Sequence, residues 1–421
     1  MFQMRLGIDA SNIRDGGGLG HLSGLLHAAH PEEYGINKIV VWGGRITLDR
    51  LPVRPWLECQ HDPLLDQSLP KRTYWQIRKL SRLAQEYCDC LLVPGGIYSG
   101  AFKPFVVISQ NMLPFEFAEC RRYGFSGMSA KYLLIRLAQI SSFRRADAAI
   151  FVTQYAQAVV KKAAQISGHY PIIPYGINRE FFCPPREQKP LQSYSINNPF
   201  KLLYVSKLEP YKHHWHVVEA IARLRSEGLP VTLDLIGAPE RPSLLRRLLS
   251  VMHRVDAEGR FIHYNGHIAY EDLVRAYHQA DGFVFASSCE TLPNILLEAM
   301  AAGLPIASAQ RGPMPETLGD AGIYFDPVRP ESIAAAVRNL VTNHIWRKQA
   351  ARLAYERART YSWERCARET FSFLAQVAGR AFIESDLRLG GNLTLQQQDE
   401  VIGQGDTYEN SGARRIGNAR S

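Results

Sequence analysis

The sequence predicts an α/β protein of two Rossmann-like domains whose parallel sheets face each other across a cleft. Short apolar runs alternate with helical patterns through both halves of the 421 residues, which is typical of parallel strands joined by crossover helices. A polar, Pro-rich interval at residues 185–199 separates the two series. The chain is also long enough to give each half its own hydrophobic core.

The domain boundaries follow from these two series. We expect a first domain at residues 1–184, a linker at 185–199 and a second domain at 200–360. A further helix is expected at 361–384. Residues 385–421 lose apolar periodicity and are rich in Gly, Gln and Asn, which predicts a flexible tail.

Apolar runs bounded by turn residues predict the strands of both domains. In the first domain they are Arg5–Asp9, Lys38–Trp42, Cys90–Val93, Phe105–Ile108, Ala148–Val152 and, as an additional candidate, Pro171–Pro174. In the second domain they are Phe200–Val205, Val231–Ile236, Ile262–Tyr264, Gly282–Phe285, Pro305–Ala307 and Ile323–Phe325.

Composition restricts the compartment and the partners. The seven cysteines are scattered without metal-site spacing, which favours a reducing environment. The N-terminus begins directly as a strand and lacks the features of a secretory signal. No apolar run approaches the roughly 20 residues that a membrane-spanning helix needs. We therefore expect a cytoplasmic protein.

Positive charge is concentrated in the first domain, where residues 1–184 hold 21 Lys and Arg against 14 Asp and Glu. Two helical stretches, 71–82 and 131–145, interleave basic residues with Trp, Tyr and Leu. Such helices suit an anionic membrane surface, and ordinary solvated helix faces are the alternative interpretation. No nucleic-acid-binding motif is present, so nucleic acid is not an expected partner.

Two carboxylates, Glu290 and Glu298, stand eight positions apart in the most informative segment of the chain. The first follows a predicted strand, and the second lies inside a helix that opens just beyond Pro293. Free amides at a helix start suit a phosphate, and carboxylates accept hydrogen bonds from sugar hydroxyls. The segment therefore predicts one pocket with acidic groups at two depths.

A glycine-rich turn between the first strand and the first helix includes Gly17 and Gly18. Glycines at such a turn let backbone amides approach a phosphate closely. The dinucleotide fingerprint would require a third glycine where Ser23 stands, and an acidic residue at the end of the second strand. NAD is therefore disfavoured as a ligand.

Two cations, Lys207 and Lys212, follow the first strand of the second domain. Cations on a loop that enters a helix can hold a diphosphate and neutralise a nucleotide leaving group. The group of His213, His214 and His216 is not a predicted metal site, because adjacent side chains on a helix point apart and no set of carboxylates completes the ligands.

Together these motifs resemble those of retaining GT-B glycosyltransferases of the family 4 type (glycosyl transferases group 1), with Glu290 and Glu298 as their Glu-x7-Glu pair. The resemblance covers most of residues 1–380. It implies that the first domain binds the acceptor, that the second binds a nucleotide sugar, and that the helix at 361–384 crosses back to the first domain.

The resemblance also implies roles for the motif residues. Glu298 would receive the ribose hydroxyls and Glu290 those of the donor sugar, while Lys207 and Lys212 would stabilise the departing nucleoside diphosphate. The remaining donor-site residues implied are the backbone amides of Leu292, Asn294 and Ile295, together with Gly17 and Gly18 near the diphosphate.

The first domain departs from the family pattern at Gln110, where relatives often carry His. Glutamine cannot act as a general base, but Gln110 and Asn111 can bind a sugar or the acceptor. By the same resemblance, Gly176 is expected to meet a backbone requirement, and Glu316 is expected to be structural.

The implied activity is transfer of a sugar, with retention, from a UDP- or GDP-linked donor to a hydroxyl of a glycan or lipid-linked acceptor. No metal or cofactor is expected, and the context implied is surface polysaccharide synthesis at the inner face of the membrane. Two alternatives stay open: a nucleotide-sugar 2-epimerase of the same fold, and a sugar-nucleotide-binding protein without catalysis.

Overall fold

The computed structural model describes residues 3–14, 16–124 and 127–388. The described residues form two parallel sheets with helices on both faces. The sheet of the first domain contains β1 Met4–Ala10, β2 Ile36–Gly43, β3 Leu57–His61, β4 Cys90–Val93, β5 Phe105–Ile108 and β6 Ala148–Ile150. That of the second domain contains β7 Phe200–Val205, β8 Val231–Ile236, β9 Ile262–Tyr264, β10 Gly282–Phe285, β11 Ile306–Ala309 and β12 Gly322–Phe325.

Both sheets have the same strand order. The first runs β3-β2-β1-β4-β5-β6, and the second, read from the opposite edge, runs β9-β8-β7-β10-β11-β12. All pairings are parallel. Within each domain the order is 3-2-1-4-5-6, the doubly wound arrangement of nucleotide-binding folds. The prediction of two Rossmann-like domains is confirmed.

The helices alternate with these strands along the chain. In the first domain they are α1 Gly16–His27, α2 Arg45–Leu48, α3 Leu69–Trp75, α4 Ser81–Tyr87, α5 Phe117–Cys120, α6 Gly127–Arg145 and α7 Gln154–Ala164. They continue as α8 His214–Ser226, α9 Pro242–Val255, α10 Tyr270–Gln279, α11 Asn294–Ala301, α12 Met314–Leu318, α13 Pro330–Thr342, α14 His344–Ala358 and α15 Trp363–Arg388. A short π-helical segment, Gln76–Leu80, joins α3 to α4.

Two strand predictions were wrong. The sequence analysis did not predict β3, which lies at a sheet edge and keeps only intermediate or exposed side chains, so its apolar pattern is weak. Conversely, Pro171–Pro174 is not a strand, although Ile172 forms an isolated bridge with Phe151. Proline at both ends of that segment removes the amides that a longer ladder needs.

The last described helix joins the two domains. From Trp363 it packs against α1 and β4 of the first domain, and it ends at Arg388, four residues beyond the predicted end. A Cβ at Gly176 would lie 2.2 Å from the backbone nitrogen of Trp363, so the predicted backbone requirement at Gly176 is confirmed. The predicted flexible tail falls, from residue 389 onward, outside the described residues.

Candidate active site

A cavity of about 260 Å³ lies between the domains at the carboxyl ends of their strands. It is lined by Gly17, Gly18, Gln110, Tyr175, Lys212, Phe285, Glu290, Thr291, Leu292, Pro293, Asn294 and Ile295. The residues from the second domain come from the loop after β7 and from the segment that runs from the end of β10 to the first turn of α11; β7 and β10 are neighbours where the strand order reverses. Doubly wound sheets bind their ligands in the crevice at this position. Eight of the predicted site residues therefore share one cavity.

The loop after β10 turns sharply at Pro293 before α11 begins. The amide of Asn294 donates to the carbonyl of Leu292 at 3.0 Å, and the amide of Leu296 donates to Pro293 at 2.9 Å. The amides of Leu292 and Ile295 have no acceptor among the described residues. Of the three predicted amide donors, Asn294 is therefore already bonded within the turn, and the other two remain available to an anion.

The N-terminus of α1 approaches the same cavity from the first domain. A Cβ at Gly17 would lie 3.5 Å from Nδ2 of Asn294, and a Cβ at Gly18 would lie 3.2 Å from Oε1 of Gln110. The side-chain carbonyl of Asn294 is buried without a hydrogen-bond partner. Because neither glycine carries a side chain, the first turns of α1 and α11 lie close together across the cavity.

Lys212 and Glu290 form an ion pair inside the cavity, with side-chain exposures of 9% and 16%. Their loops are tied together, because the amide of Ser288 donates to the carbonyl of Tyr211 at 2.9 Å. The ammonium of Lys212 also lies 5.3 Å from the ring centre of Tyr211 and 5.5 Å from that of Phe285. Aromatic faces attract a cation, so the ammonium is held in place from several sides.

Glu298 lies one helical turn beyond the start of α11 and is absent from the cavity lining. Its Oε2 accepts a hydrogen bond from the hydroxyl of Tyr277 at 2.9 Å. Burial raises the pKa of Glu298 to about 7, and the Tyr277 hydrogen bond opposes that rise. The two glutamates of the motif thus occupy different depths, with only Glu290 on the cavity wall.

Gln110 contacts a buried histidine that the sequence analysis did not select. Its Nε2 lies 2.6 Å from Nδ1 of His21, whose ring packs on Tyr175 at a centroid distance of 4.4 Å. Burial lowers the pKa of His21 to about 3, so the ring is neutral. Because the Gln110 amide donates to Nδ1, the ring proton resides on Nε2. His21 therefore positions Gln110 instead of replacing the missing family histidine as a base.

Besides Glu298, two predicted residues lie away from the cavity lining. Lys207 is exposed on the loop after β7, and Gly237 packs against that loop so closely that a Cβ there would lie 1.9 Å from the carbonyl oxygen of Ser206. Asn111 is also exposed, and its Oδ1 accepts from the amide of Leu113 at 3.2 Å. Asn111 thus stabilises the turn after β5, a common use of its side chain.

Contacts between the domains hold the walls of the cavity. The Glu316 carboxylate accepts hydrogen bonds from the amides of Gln154 and Tyr155 at 2.7 and 2.9 Å. These amides begin α7 in the first domain. The hydroxyl of Thr153 donates to the carbonyl of Thr291 at 2.9 Å. The expectation of a structural role for Glu316 agrees with this geometry.

The histidines after Lys212 have structural contacts. His213 Nε2 lies 2.9 Å from the hydroxyl of Ser288, His214 stacks on Tyr204, and His216 Nδ1 lies 3.0 Å from a backbone carbonyl. Within the described ranges, no group of three or more His, Cys, Asp or Glu side chains is arranged to hold a metal ion.

The comparisons with known proteins bear first on the second domain. Residues 199–343 match the family model "Glycosyl transferases group 1". In sequence, the second domain therefore resembles glycosyl transferases group 1. O-antigen chain mannosyltransferase B of Escherichia coli is 30% identical over 182 residues, which are 43% of this chain and 47% of that protein. The chain thus spans about half the length of the curated relatives it matches.

Solved structures extend the likeness to both domains. Sucrose-phosphate synthase of Thermosynechococcus elongatus superposes with a TM-score of 0.69 at 16% identity, covering 92% of this chain and all of that one. Anabaena HepE, solved in complex with UDP, superposes with a TM-score of 0.63 at 20% identity, covering 88% of this chain and all of that one. The fold of this protein is GT-B, as the motifs predict.

Proposed function

We propose that this protein transfers a glycosyl unit from a nucleotide sugar to an acceptor hydroxyl, with retention of anomeric configuration and without a metal ion. The observation that carries the proposal is the single cavity in which the first turns of α1 and α11 meet Lys212 and Glu290. Helix N-termini and a cation stabilise a diphosphate, and a carboxylate binds sugar hydroxyls.

In this proposal catalysis depends mainly on stabilising the leaving group. Lys212 and the amides of Leu292 and Ile295 stabilise the charge that grows on the departing diphosphate, each contributing about 3 kcal/mol as a preorganised donor. Lys207 approaches from the loop after β7 when the donor is bound. Glu298 receives the ribose hydroxyls, for which Tyr277 holds its carboxylate in position.

Retention is supported by the groups on the acceptor side of the cavity. An inverting enzyme needs a base there that removes the acceptor proton. The cavity instead presents the amide of Gln110, and the histidine behind it is neutral with Nδ1 already engaged. Gln110 therefore orients the donor sugar or the acceptor by hydrogen bonding, and the proton leaves by way of the departing phosphate.

The comparisons support the proposed substrates. HepE has been solved with UDP and with UDP-glucose, and the Escherichia coli relative is an O-antigen mannosyltransferase. We therefore propose a UDP- or GDP-linked donor and a glycan or lipid-linked acceptor in surface polysaccharide synthesis.

We further propose that the first domain docks on the inner face of the membrane from the cytoplasm. Among the described residues no helix is both long and apolar enough to cross a bilayer. Three leucines of α6, Leu133, Leu134 and Leu137, are 55–67% exposed, and Phe117 is 66% exposed beneath the guanidinium of Arg121. Apolar side chains flanked by cations suit anionic headgroups. Loss of co-flotation with anionic liposomes in a Leu133→Ser, Leu137→Ser variant tests this docking.

The decisive experiment combines binding with product analysis. We expect UDP or GDP, but not ADP, to raise the melting temperature of the wild type, and Glu298→Ala to abolish that shift. Stabilisation that persists unchanged in Glu298→Ala would contradict the ribose role.

Incubation with labelled UDP- and GDP-sugars then distinguishes the possible activities. Transfer or hydrolysis that persists in EDTA, with an anomer matching the donor, supports the proposal. An epimerised nucleotide sugar would instead identify an epimerase, and binding without turnover would identify a binding protein.

A further inference from the structure

Two arginines of the first domain, Arg14 and Arg72, lie close to each other at the loop that follows β1. The Arg14 guanidinium donates to the carbonyl of Leu65 at 3.2 Å, and that of Arg72 donates to the carbonyl of Ser11 at 3.1 Å. Both side chains are half-buried. Within the described ranges, neither forms an ion pair with an acidic residue. Two neighbouring half-buried cations lower the stability of the fold unless an anion binds beside them.

Among the described residues, no acidic side chain neutralises the charges of Arg14 and Arg72. Burial, and then the charge of Arg14, lower the pKa of Arg72. The Nε of Arg72 is buried without an acceptor. Asp9, near the end of β1, is bonded to the amide of Ser11 and to the side chain of Gln76. It is therefore not the counter-ion of either arginine.

The position of the pair relates it to the proposed reaction. Arg14 lies on the loop that connects β1 to α1, only three residues before Gly17 on the cavity wall. Arg72 reaches the same loop from α3. The pair therefore lies on the first-domain side of the cleft, opposite the second-domain loops proposed to bind the donor.

We propose that Arg14 and Arg72 together bind a phosphate group carried by the acceptor. Two guanidinium groups match the oxygens of a phosphate through parallel hydrogen bonds, and the Nε–H of Arg72 offers such a donor. This inference rests on the proposed glycosyl transfer and narrows it, because the acceptor is then a phosphorylated glycan or a phosphate-linked lipid rather than a neutral sugar.

Calorimetric titration with inorganic phosphate tests the proposal. The protein is first saturated with whichever of UDP or GDP binds, so that phosphate does not enter the cavity at Lys212. We expect Arg14→Gln and Arg72→Gln each to weaken phosphate binding about tenfold or more, since a charged hydrogen bond contributes about 1.5–3 kcal/mol. Arg72→Lys keeps the positive charge but loses the two parallel donors of the guanidinium. Its phosphate affinity should lie between those of the wild type and Arg72→Gln.

Arg54→Gln is the matched control, because Arg54 is an exposed arginine of the same domain whose side chain donates to the carbonyl of its neighbour Val53. Retained nucleotide-induced thermal shifts show that the variants are folded. Absence of phosphate binding by the wild type, or equal binding by wild type and both glutamine variants, would overturn the inference.

Two further measurements separate the inference from its premises. If neither nucleotide binds the wild type, the proposed function fails, and phosphate titration in a Lys212→Gln background still tests the arginine pair. Flotation with phosphatidylglycerol vesicles identifies the source of the phosphate. Vesicle binding lost together with phosphate binding assigns the phosphate to a lipid headgroup, whereas loss of phosphate binding alone assigns it to the acceptor glycan.

Discussion

The carboxyl group of Glu298 makes the stability of the protein depend on pH near neutrality. Its pKa rises from an ordinary value of 4.5 to about 7 because the group is buried. A group whose pKa is raised by folding contributes stability that is present below the unfolded pKa and is lost as the pH rises through the folded pKa. Glu298→Gln removes this titration and keeps an acceptor for the Tyr277 hydroxyl.

The size of the effect follows from the two pKa values. Linkage across that interval predicts that, between pH 5 and pH 8, the wild type loses about 2.5 kcal/mol of unfolding free energy relative to Glu298→Gln. Urea unfolding at both pH values, without nucleotide, measures the difference. Glu356→Gln, at an exposed position of α14, is the control and should show no comparable change. If the difference between the Glu298→Gln variant and the wild type is the same at both pH values, the carboxyl is not buried as described and the reasoning fails.

Substitutions at three further positions, Lys212, Gly176 and Glu316, test the packing around the cavity, two of them with a companion variant. Lys212→Met leaves Glu290 buried without its partner and should cost about 3 kcal/mol in urea unfolding, most of it recovered when Glu290→Gln is added. Gly176→Ala should cost about 3 kcal/mol through its clash with the backbone that begins α15, whereas Gly20→Ala, with nothing within 4 Å of the new Cβ, should stabilise α1 by about 0.5–1 kcal/mol. Glu316→Gln should raise hydrogen exchange at the first two amides of α7, with a loss of about 1 kcal/mol; unchanged exchange would contradict its role as a cap.

The sequence predicted the strands best where burial is complete. β4, β5 and β10 contain no charged or polar side chain other than Cys90 and are buried at every position, because parallel strands are covered on both faces. At the sheet edge, every side chain of β3 is intermediate or exposed and only Leu57 and Cys59 are apolar, and that weaker pattern was missed. Local pattern therefore identified the central strands and failed at an edge.

The same limit applies to the site. Gly17, Gly18, Lys212 and the Glu290 loop were predictable because strand exits and helix starts converge at one edge of a parallel sheet. The contact between Gln110 and His21 joins residues 89 positions apart, and only the packing of the domain reveals it. His21 does stand one turn into a glycine-rich helix start, a position from which a side chain can reach the cleft.

The active-site cavity belongs to neither domain alone, and its hydrogen bonds explain how the two halves act together. Thr153 caps α7 through the amide of Ala156 and at the same time donates to the carbonyl of Thr291, beside Glu290. Glu316 binds the same helix start from the second domain. Any rotation of one domain against the other must break this cluster and move the loop that carries Glu290 away from α1. If the proposed donor binds in this cavity, we therefore expect closure of the cleft and assembly of the donor site to occur as one event.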